Sequence, residues 1–122
     1  MTDKNKRNEG NAAESAAVAY LENNGYKIIG RNFYSKMGEV DIICISPQDH
    51  LVFAEVKFRT SNSSGDPLEA VNPAKQKKIC RSSLVYLSKN PQYSDYQIRY
   101  DVIAIYGNGD IRHIENAFEY LW

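Results

Sequence analysis

The chain has 122 residues, with 15 Lys and Arg against 15 Asp and Glu, so its formal net charge is zero. Hydrophobic residues make up 43% and charged residues 25%, which is ordinary globular usage, and this length predicts one domain. These figures exclude a disordered chain, collagen and a pure coiled coil. A net charge of zero gives no support for bulk electrostatic attraction to nucleic acid or acidic membranes, so any such contact must rest on a local arrangement of charge.

The predicted elements are, in chain order, a helix, three strands, a second helix and two strands. Residues 1–11 are charged and rich in Asn, which predicts a flexible N-terminal arm before a single domain at 12–122. Helix formers followed by a glycine predict a first helix over 12–24, and an Asn-Pro start predicts a second over 73–89. Strand patterns cover 26–33, 38–45, 51–59, 97–106 and 111–114. This order predicts an α/β domain in which a mixed β-sheet is flanked by helices.

The cysteines and the apolar runs predict a reduced, soluble, cytoplasmic protein. Cys44 and Cys80 lack CxxC spacing and are expected to be small core residues. The opening residues MTDKNKRNEGN contain no apolar stretch of the signal-peptide type. No apolar run approaches the roughly 20 residues of a membrane span, so no membrane partner is expected.

The hairpin formed by the second and third strands carries the strongest chemical signal. If its turn is centred on Gln48, Asp41 lies opposite Glu55 and Glu39 lies opposite Lys57. Directly opposed side chains have Cβ atoms about 4.5–5.5 Å apart, and like charges placed so destabilise the pair. Either a raised pKa or a shared divalent cation such as Mg²⁺ would relieve this repulsion. With Lys57 nearby, these are the parts of a phosphodiester-hydrolysing site.

Each of these residues also has a plain structural interpretation. The E-x-K pattern is common on exposed strands, and Glu39 and Lys57 could form a cross-strand salt bridge. Glu14 shares a helical stripe with apolar residues and needs a partner, for which the metal site is one candidate. A carboxylate favoured by the positive end of the helix macrodipole is the other interpretation.

The joint pattern of residues resembles a known family. Gly38-Glu39-Val40-Asp41 followed by Phe53-Ala54-Glu55-Val56-Lys57, together with Ala13-Glu14 and Arg99-Tyr100-Asp101, resembles the YraN-like family of bacterial proteins. That family is similar in pattern to the restriction-endonuclease-like PD-(D/E)xK superfamily and to archaeal Holliday-junction resolvases. The resemblance implies a restriction-endonuclease-like core with Asp41, Glu55 and Glu14 as ligands of Mg²⁺ or Mn²⁺. It also implies catalytic roles for these three carboxylates and for Lys57.

The second predicted helix is a local basic element. It carries five Lys and Arg residues and no acidic residue, and a 4, 3 spacing predicts that Cys80, Leu84 and Leu87 pack on the sheet. Its basic face is either an ordinary solvated surface or a phosphate contact, which positions nucleic acid without reading sequence. The residues expected to contact phosphate are Arg59, Lys75, Lys78 and Arg81.

Two functions remain open at this level. The first is a divalent-metal-dependent endonuclease acting on DNA, including branched recombination or repair intermediates. The alternative is a non-catalytic nucleic-acid-binding accessory protein that keeps the same fold, and a protein-interaction domain is a weaker third. The apolar residues 120–122 either close the core or contact a second copy of the chain in a homodimer. Asp101 is expected to be structural, paired with Arg99 or with a helix N-terminus.

Overall fold

A mixed five-stranded sheet with a helix on each face forms the body of the protein, as the sequence predicts. The computed structural model describes residues 2–61 and 65–120. The helices are α1 (Thr2–Asn23) and α2 (Pro73–Lys89), and short 3-10 helices cover Pro67–Ala70 and Pro91–Tyr93. The strands are β1 (Lys27–Ser35), β2 (Gly38–Ile45), β3 (His50–Arg59), β4 (Gln97–Tyr106) and β5 (Ile111–Phe118).

The sheet order follows the chain from β1 to β5. Strands β3 and β4 are parallel, whereas the other neighbouring strands are antiparallel. Parallel neighbours need a crossover connection, which α2 supplies. On one face α1 packs Ala17 and Leu21 against Ile42 and Val52. On the other face α2 packs its buried residues against a layer of strand side chains that includes Phe53.

Local sequence accounts for three helix boundaries. Helix α1 ends in a Schellman motif, in which Tyr26 N–H bonds to Leu21 O at 3.0 Å and Gly25 has φ +85°. At the start of α2, Asn72 Oδ1 accepts a hydrogen bond from Lys75 N at 3.0 Å, which is an N-cap. Helix α2 ends at Lys89, as predicted.

The start of α1 differs from the prediction. The helix begins at Thr2 rather than at Ala12, so residues predicted as an arm have helical backbone. Lys, Arg and Glu in this segment are good helix formers, and once a helix is nucleated each added residue contributes one backbone hydrogen bond. The polarity of the segment is therefore compatible with helical backbone.

The buried face of α2 also differs from the prediction at one position. Leu84 is 48% exposed, whereas Ser82 and Ser83 are buried. Ser83 Oγ donates to Cys80 O at 2.6 Å and lies 2.7 Å from the Tyr100 hydroxyl. Because hydrogen bonds satisfy these hydroxyls, the helix buries two serines in place of a leucine.

Several other expectations are resolved by the fold. Cys44 and Cys80 are both buried, which confirms that both are core residues. Strand β5 continues to Phe118, beyond the predicted end at Ile114. Tyr120 packs against the core on the α2 side, while residues 121 and 122 lie outside the described residues. Within 2–61 and 65–120, no helix is long and apolar enough to cross a membrane.

Candidate active site

The hairpin register places the candidate carboxylates as the sequence predicts. Strands β2 and β3 pair from Ile45↔Leu51 to Ile42↔Ala54, and the next positions along this register are Asp41 and Glu55. Asp41 Oδ2 accepts a hydrogen bond from Val56 N at 2.8 Å. The Asp41 carboxylate therefore accepts a hydrogen bond from the backbone of β3 just beyond the last paired residues of the two strands, Ile42 and Ala54.

Strand β2 changes direction at Asp41. Val40 belongs to the core on the α2 side, whereas Ile42 belongs to the core on the α1 side. In a regular strand these two side chains would share one face. The neighbouring strand is irregular at the same level, where Asn32 has φ +52°. This break separates β2 from β3 and exposes the Asp41 carboxylate to residues from both faces of the sheet.

Four carboxylates influence one another at this break. Burial and the charge of Glu55 raise the pKa of Asp41 to about 8, with smaller contributions from Glu39 and Glu14. Burial and the charges of Glu14 and Glu55 likewise raise the pKa of Glu39. The repulsion predicted from the register is therefore present in the folded protein, and it involves Glu39 as well.

Glu14 reaches this cluster from the middle of α1. Because the helix begins at Thr2, Glu14 lies several turns beyond the helix N-terminus, and the macrodipole effect falls off within the first turn. The macrodipole interpretation of Glu14 is therefore wrong. Its Oε1 atom is buried and, among the described residues, has no hydrogen-bond partner. A buried polar atom of this kind calls for an explanation such as a missing ion or water.

Two lysines complete the cluster. Lys57 Nζ lies 3.3 Å from Glu55 Oε1, with the two side chains 19% and 15% exposed. In the part of the chain that the structure describes, Lys57 pairs with Glu55 and not with Glu39, so the predicted cross-strand salt bridge is wrong. Although burial of Lys57 opposes its charge, a hydrogen bond to Lys75 and the charge of Glu55 raise its pKa. The same hydrogen bond and the charge of Lys57 lower the pKa of Lys75.

A small cavity lies between these charges. Its volume is about 170 Å³, and it is lined by Glu39, Glu55, Lys75, Lys78 and Ile79. At about 30 Å³ per water molecule, this volume accommodates a phosphate group or a partly hydrated cation. Acidic side chains from the sheet and basic side chains from α2 therefore meet around a space of suitable size.

The other predicted phosphate contacts lie further along the same elements. Arg59 ends β3, two residues beyond Lys57, so the two side chains share a face of the strand. Arg81 is exposed on α2, two turns beyond Lys75. The structure therefore brings Lys75 and Lys78 to the cavity and leaves Arg81 on the surface that leads away from it.

The donor set fits a hard cation. Mg²⁺ takes oxygen ligands and is commonly bound by one or two carboxylates together with water and substrate phosphate. Asp41 and Glu55 supply two such groups, and the unpartnered Glu14 Oε1 supplies a third candidate oxygen. Among the described residues no group of three or more His, Cys, Asp or Glu side chains is already arranged as a metal site. A third ligand would require a side-chain rotation or a water molecule.

A second polar cluster, around Asp101, was only partly predicted. Asp101 is fully buried and accepts hydrogen bonds from Arg99 Nε at 2.9 Å and Arg99 Nη2 at 2.8 Å, as expected from sequence. It also accepts from Asn116 N, and its Oδ2 lies 2.6 Å from His113 Nε2. The second group of partners of Asp101 therefore comes from β5, and not from a helix N-terminus, which was the other partner considered from sequence. Because these groups are mutually hydrogen-bonded, the cluster is structural.

Tyr34 was missed by sequence reasoning. It pairs with Glu39 across β1 and β2, and the charge of the Glu39 carboxylate raises the pKa of its hydroxyl. Its side chain is nevertheless 69% exposed. Glu39 and Asp41 are two residues apart on β2, so their side chains are expected to lie on the same face of the strand. This spacing was the available sequence signal that the turn between β1 and β2 contributes to the site.

Comparison with known proteins gives the family. The model of "Uncharacterised protein family UPF0102" matches residues 13–105. The chain belongs to this family. The assignment confirms the resemblance to YraN-like proteins, and the matched region contains all the residues of the carboxylate and lysine cluster.

Individual relatives cover nearly the whole chain. A UPF0102 protein of Pelobacter propionicus is 46% identical over 93% of this chain and 84% of its own length. UPF0102 protein TTE1452 of Caldanaerobacter subterraneus subsp. tengcongensis is 40% identical over 97% of this chain and 100% of its own length. Among solved structures, Pyrococcus furiosus SfsA in complex with Ca²⁺ matches with a TM-score of 0.36 and 14% identity. That match covers 90% of this chain and 63% of the SfsA chain.

Proposed function

We propose that the protein is a divalent-metal-dependent nuclease that hydrolyses phosphodiester bonds in DNA, including branched recombination or repair intermediates. One observation carries the proposal. Burial and the charge of Glu55 together raise the pKa of Asp41 to about 8, and the Lys57 ammonium lies 3.3 Å from Glu55. A stable fold has no need to oppose two carboxylates in this way, whereas perturbed pKa values of this kind cluster at functional sites.

The chain's own residues take separate roles in this proposal. Asp41, Glu55 and Glu14 would hold Mg²⁺ or Mn²⁺. When bound, such an ion polarises phosphate and lowers the pKa of a coordinated water. Hydrolysis forms a bond from the water oxygen to phosphorus and breaks the bond from phosphorus to the leaving sugar oxygen, which ends as a hydroxyl. The Lys57 ammonium would stabilise the negative charge that develops on the phosphoryl oxygens.

The lysines of α2 would hold the substrate rather than react with it. Lys75 and Lys78 line the cavity beside Glu55, so a phosphate placed there meets positive charge on the side away from the carboxylates. Arg59 and Arg81 would contact neighbouring phosphates of the same strand. Phosphate contacts of this kind set the position and register of the nucleic acid.

A cleavage assay tests the proposal directly. The purified protein is incubated with Mn²⁺ and fluorescent linear, flapped, four-way and single-stranded DNA substrates. Cleavage is expected for the wild type and for Glu22→Gln, which alters an exposed carboxylate near the end of α1. Loss of cleavage is expected for Glu55→Gln. If the wild type cuts none of these substrates, or if Glu55→Gln cuts as well as Glu22→Gln, the enzymatic proposal is wrong.

The accessory-protein alternative has an observation in its favour. Within the described residues, no three candidate ligands are already gathered for a metal, and α2 would bind phosphates without any metal. Isothermal titration of Mn²⁺ separates the two functions. Mn²⁺ binding that disappears in Asp41→Asn supports the nuclease, whereas salt-dependent DNA binding without a metal response supports the accessory protein.

A further inference from the structure

Tyr34 has an unusual setting for a large aromatic side chain. It is 69% exposed, and Met37 at the adjoining turn is 46% exposed. Tyr34 lies opposite Glu39 across β1 and β2, and Glu39 also lines the cavity of the candidate site. The ring therefore lies beside the carboxylates, while much of its surface faces solvent.

Tyr34 lies on the hairpin formed by β1 and β2, and this hairpin is anchored to α2. Ser35 Oγ lies 3.0 Å from Ser82 Oγ, and a Cβ atom placed on Gly38 would lie 3.1 Å from Lys78 Cβ. On the other side of Tyr34, the Phe33 ring packs edge-on against Tyr86 with centroids 5.2 Å apart. Since both chain neighbours of Tyr34 contact α2, the ring is presented on a fixed support.

The strand and the helix next to the cavity are rich in basic residues, whereas the charges that act on the Tyr34 hydroxyl itself are those of Glu39, Glu14 and Asp41. The segment 27–37 contains Lys27, Arg31 and Lys36 and no acidic residue, and α2 contains Lys75, Lys77, Lys78, Arg81 and Lys89 and no acidic residue. These eight cations lie on two elements that pack together, in a chain whose net charge is zero. Of these cations, Lys75 and Lys78 line the cavity, where their charge complements a phosphate group.

We propose that Tyr34 is a stacking platform for an unpaired DNA base next to the phosphate held in the candidate site. This inference rests on the proposed function and narrows its substrate class to DNA with unpaired nucleotides, such as a single strand or the open part of a branched junction. In a duplex the base faces are covered by their neighbours, so an exposed ring gains contact only with a base that has left the stack. Aromatic residues beside a basic groove are a general way to bind single strands.

Binding measurements without Mn²⁺ test the stacking role. The affinity of a fluorescein-labelled oligo-dT strand and of a blunt duplex is measured by anisotropy for the wild type, Tyr34→Ala and Tyr34→Phe. Tyr34→Ala is expected to weaken single-strand binding by about 5- to 150-fold, the range for one base–aromatic stack. Duplex binding should change less than about 2-fold, because it depends on phosphate contacts. Tyr34→Phe keeps the ring and should retain single-strand affinity.

A matched control and a cleavage measurement make the outcome decisive. Leu84→Ala removes another exposed apolar side chain, 48% exposed on α2, and should leave both affinities unchanged. All variants should melt at the wild-type temperature, because Tyr34 and Leu84 are exposed. Suppose that the wild type cleaves DNA in Mn²⁺. If Tyr34→Ala then binds single strands normally, or loses single-strand and duplex affinity equally, the stacking role is refuted and the proposed function stands. A wild type that cleaves nothing refutes the proposed function instead.

Discussion

The charge repulsion at Asp41 makes a quantitative prediction about stability. Replacing Asp41 by Asn keeps an oxygen that can accept the hydrogen bond from Val56 N and removes the ionisable group. The pKa of Asp41 rises from 3.8 to about 8 in the folded protein. Between these values the folded protein retains a proton that the unfolded chain has released. The contribution of Asp41 to the free energy of unfolding is therefore most favourable below pH 4 and is lost as the pH rises towards 8.

The size of the effect follows from the same shift. Each pH unit in this window should lower the free energy of unfolding of the wild type by about 1.4 kcal/mol relative to Asp41→Asn. A pKa difference of about four sets an upper limit of about 6 kcal/mol. Relaxation around this half-buried group should reduce the measured total to about 2–3 kcal/mol, since effective dielectric constants in proteins exceed those of a dry interior.

Urea denaturation across this pH range measures the effect. The free energy of unfolding is obtained by linear extrapolation for the wild type, Asp41→Asn and the control Asp95→Asn, which alters an exposed aspartate. The free energy of unfolding of Asp41→Asn should increase relative to that of the wild type as the pH rises. That of the control should change with pH as the wild type does. Parallel profiles for all three proteins, or a wild type more stable than Asp41→Asn at pH 8, would refute the raised pKa of Asp41.

A divalent cation should reverse the effect. An ion shared by Asp41 and Glu55 favours the ionised carboxylate, so Mn²⁺ should restore wild-type stability at pH 8. The expected gain is about 2.7 kcal/mol when free Mn²⁺ is at 100 times its dissociation constant. Asp41→Asn should show little of this gain. Equal Mn²⁺ stabilisation of both proteins would place the ion elsewhere.

Three further substitutions test the frame around the site. Asp101→Asn should lower the free energy of unfolding by about 3–5 kcal/mol in urea denaturation, because it leaves the buried Arg99 guanidinium without its counter-charge. Although burial opposes the charge of Asp101, its hydrogen bonds outweigh burial and lower its pKa. The stability that Asp101 contributes is therefore lost only as the pH falls below 3.8. Gly38→Ala should lower the melting temperature more than Gly109→Ala does, since both have positive φ but only Gly38 has an atom of Lys78 at 3.1 Å. Leu21→Ala, at a fully buried position of α1, should cost about 2–5 kcal/mol in the same denaturation assay.

Short-range patterns accounted for most of the sheet and for the centre of the site. The turn between β2 and β3 and the alternation of side chains fixed a register that agrees with all the observed pairs, from Ile45↔Leu51 to Ile42↔Ala54. From that register alone, Asp41 and Glu55 were expected to repel each other. The N-cap at Asn72 and the proline after it located the start of α2. These features depend on residues close together in the chain, so the amino-acid sequence determines them locally.

Features that depend on distant segments were visible only in the folded molecule. The break in alternation between Val40 and Ile42, the contact of Lys57 with Lys75, and the position of Tyr34 all require β1, β2, β3 and α2 to be assembled. Burial of Ser83 in place of Leu84 depends on the Tyr100 hydroxyl, which lies 17 residues further along the chain. Side-chain contacts across such separations arise from packing, and packing depends on the whole fold rather than on any one segment.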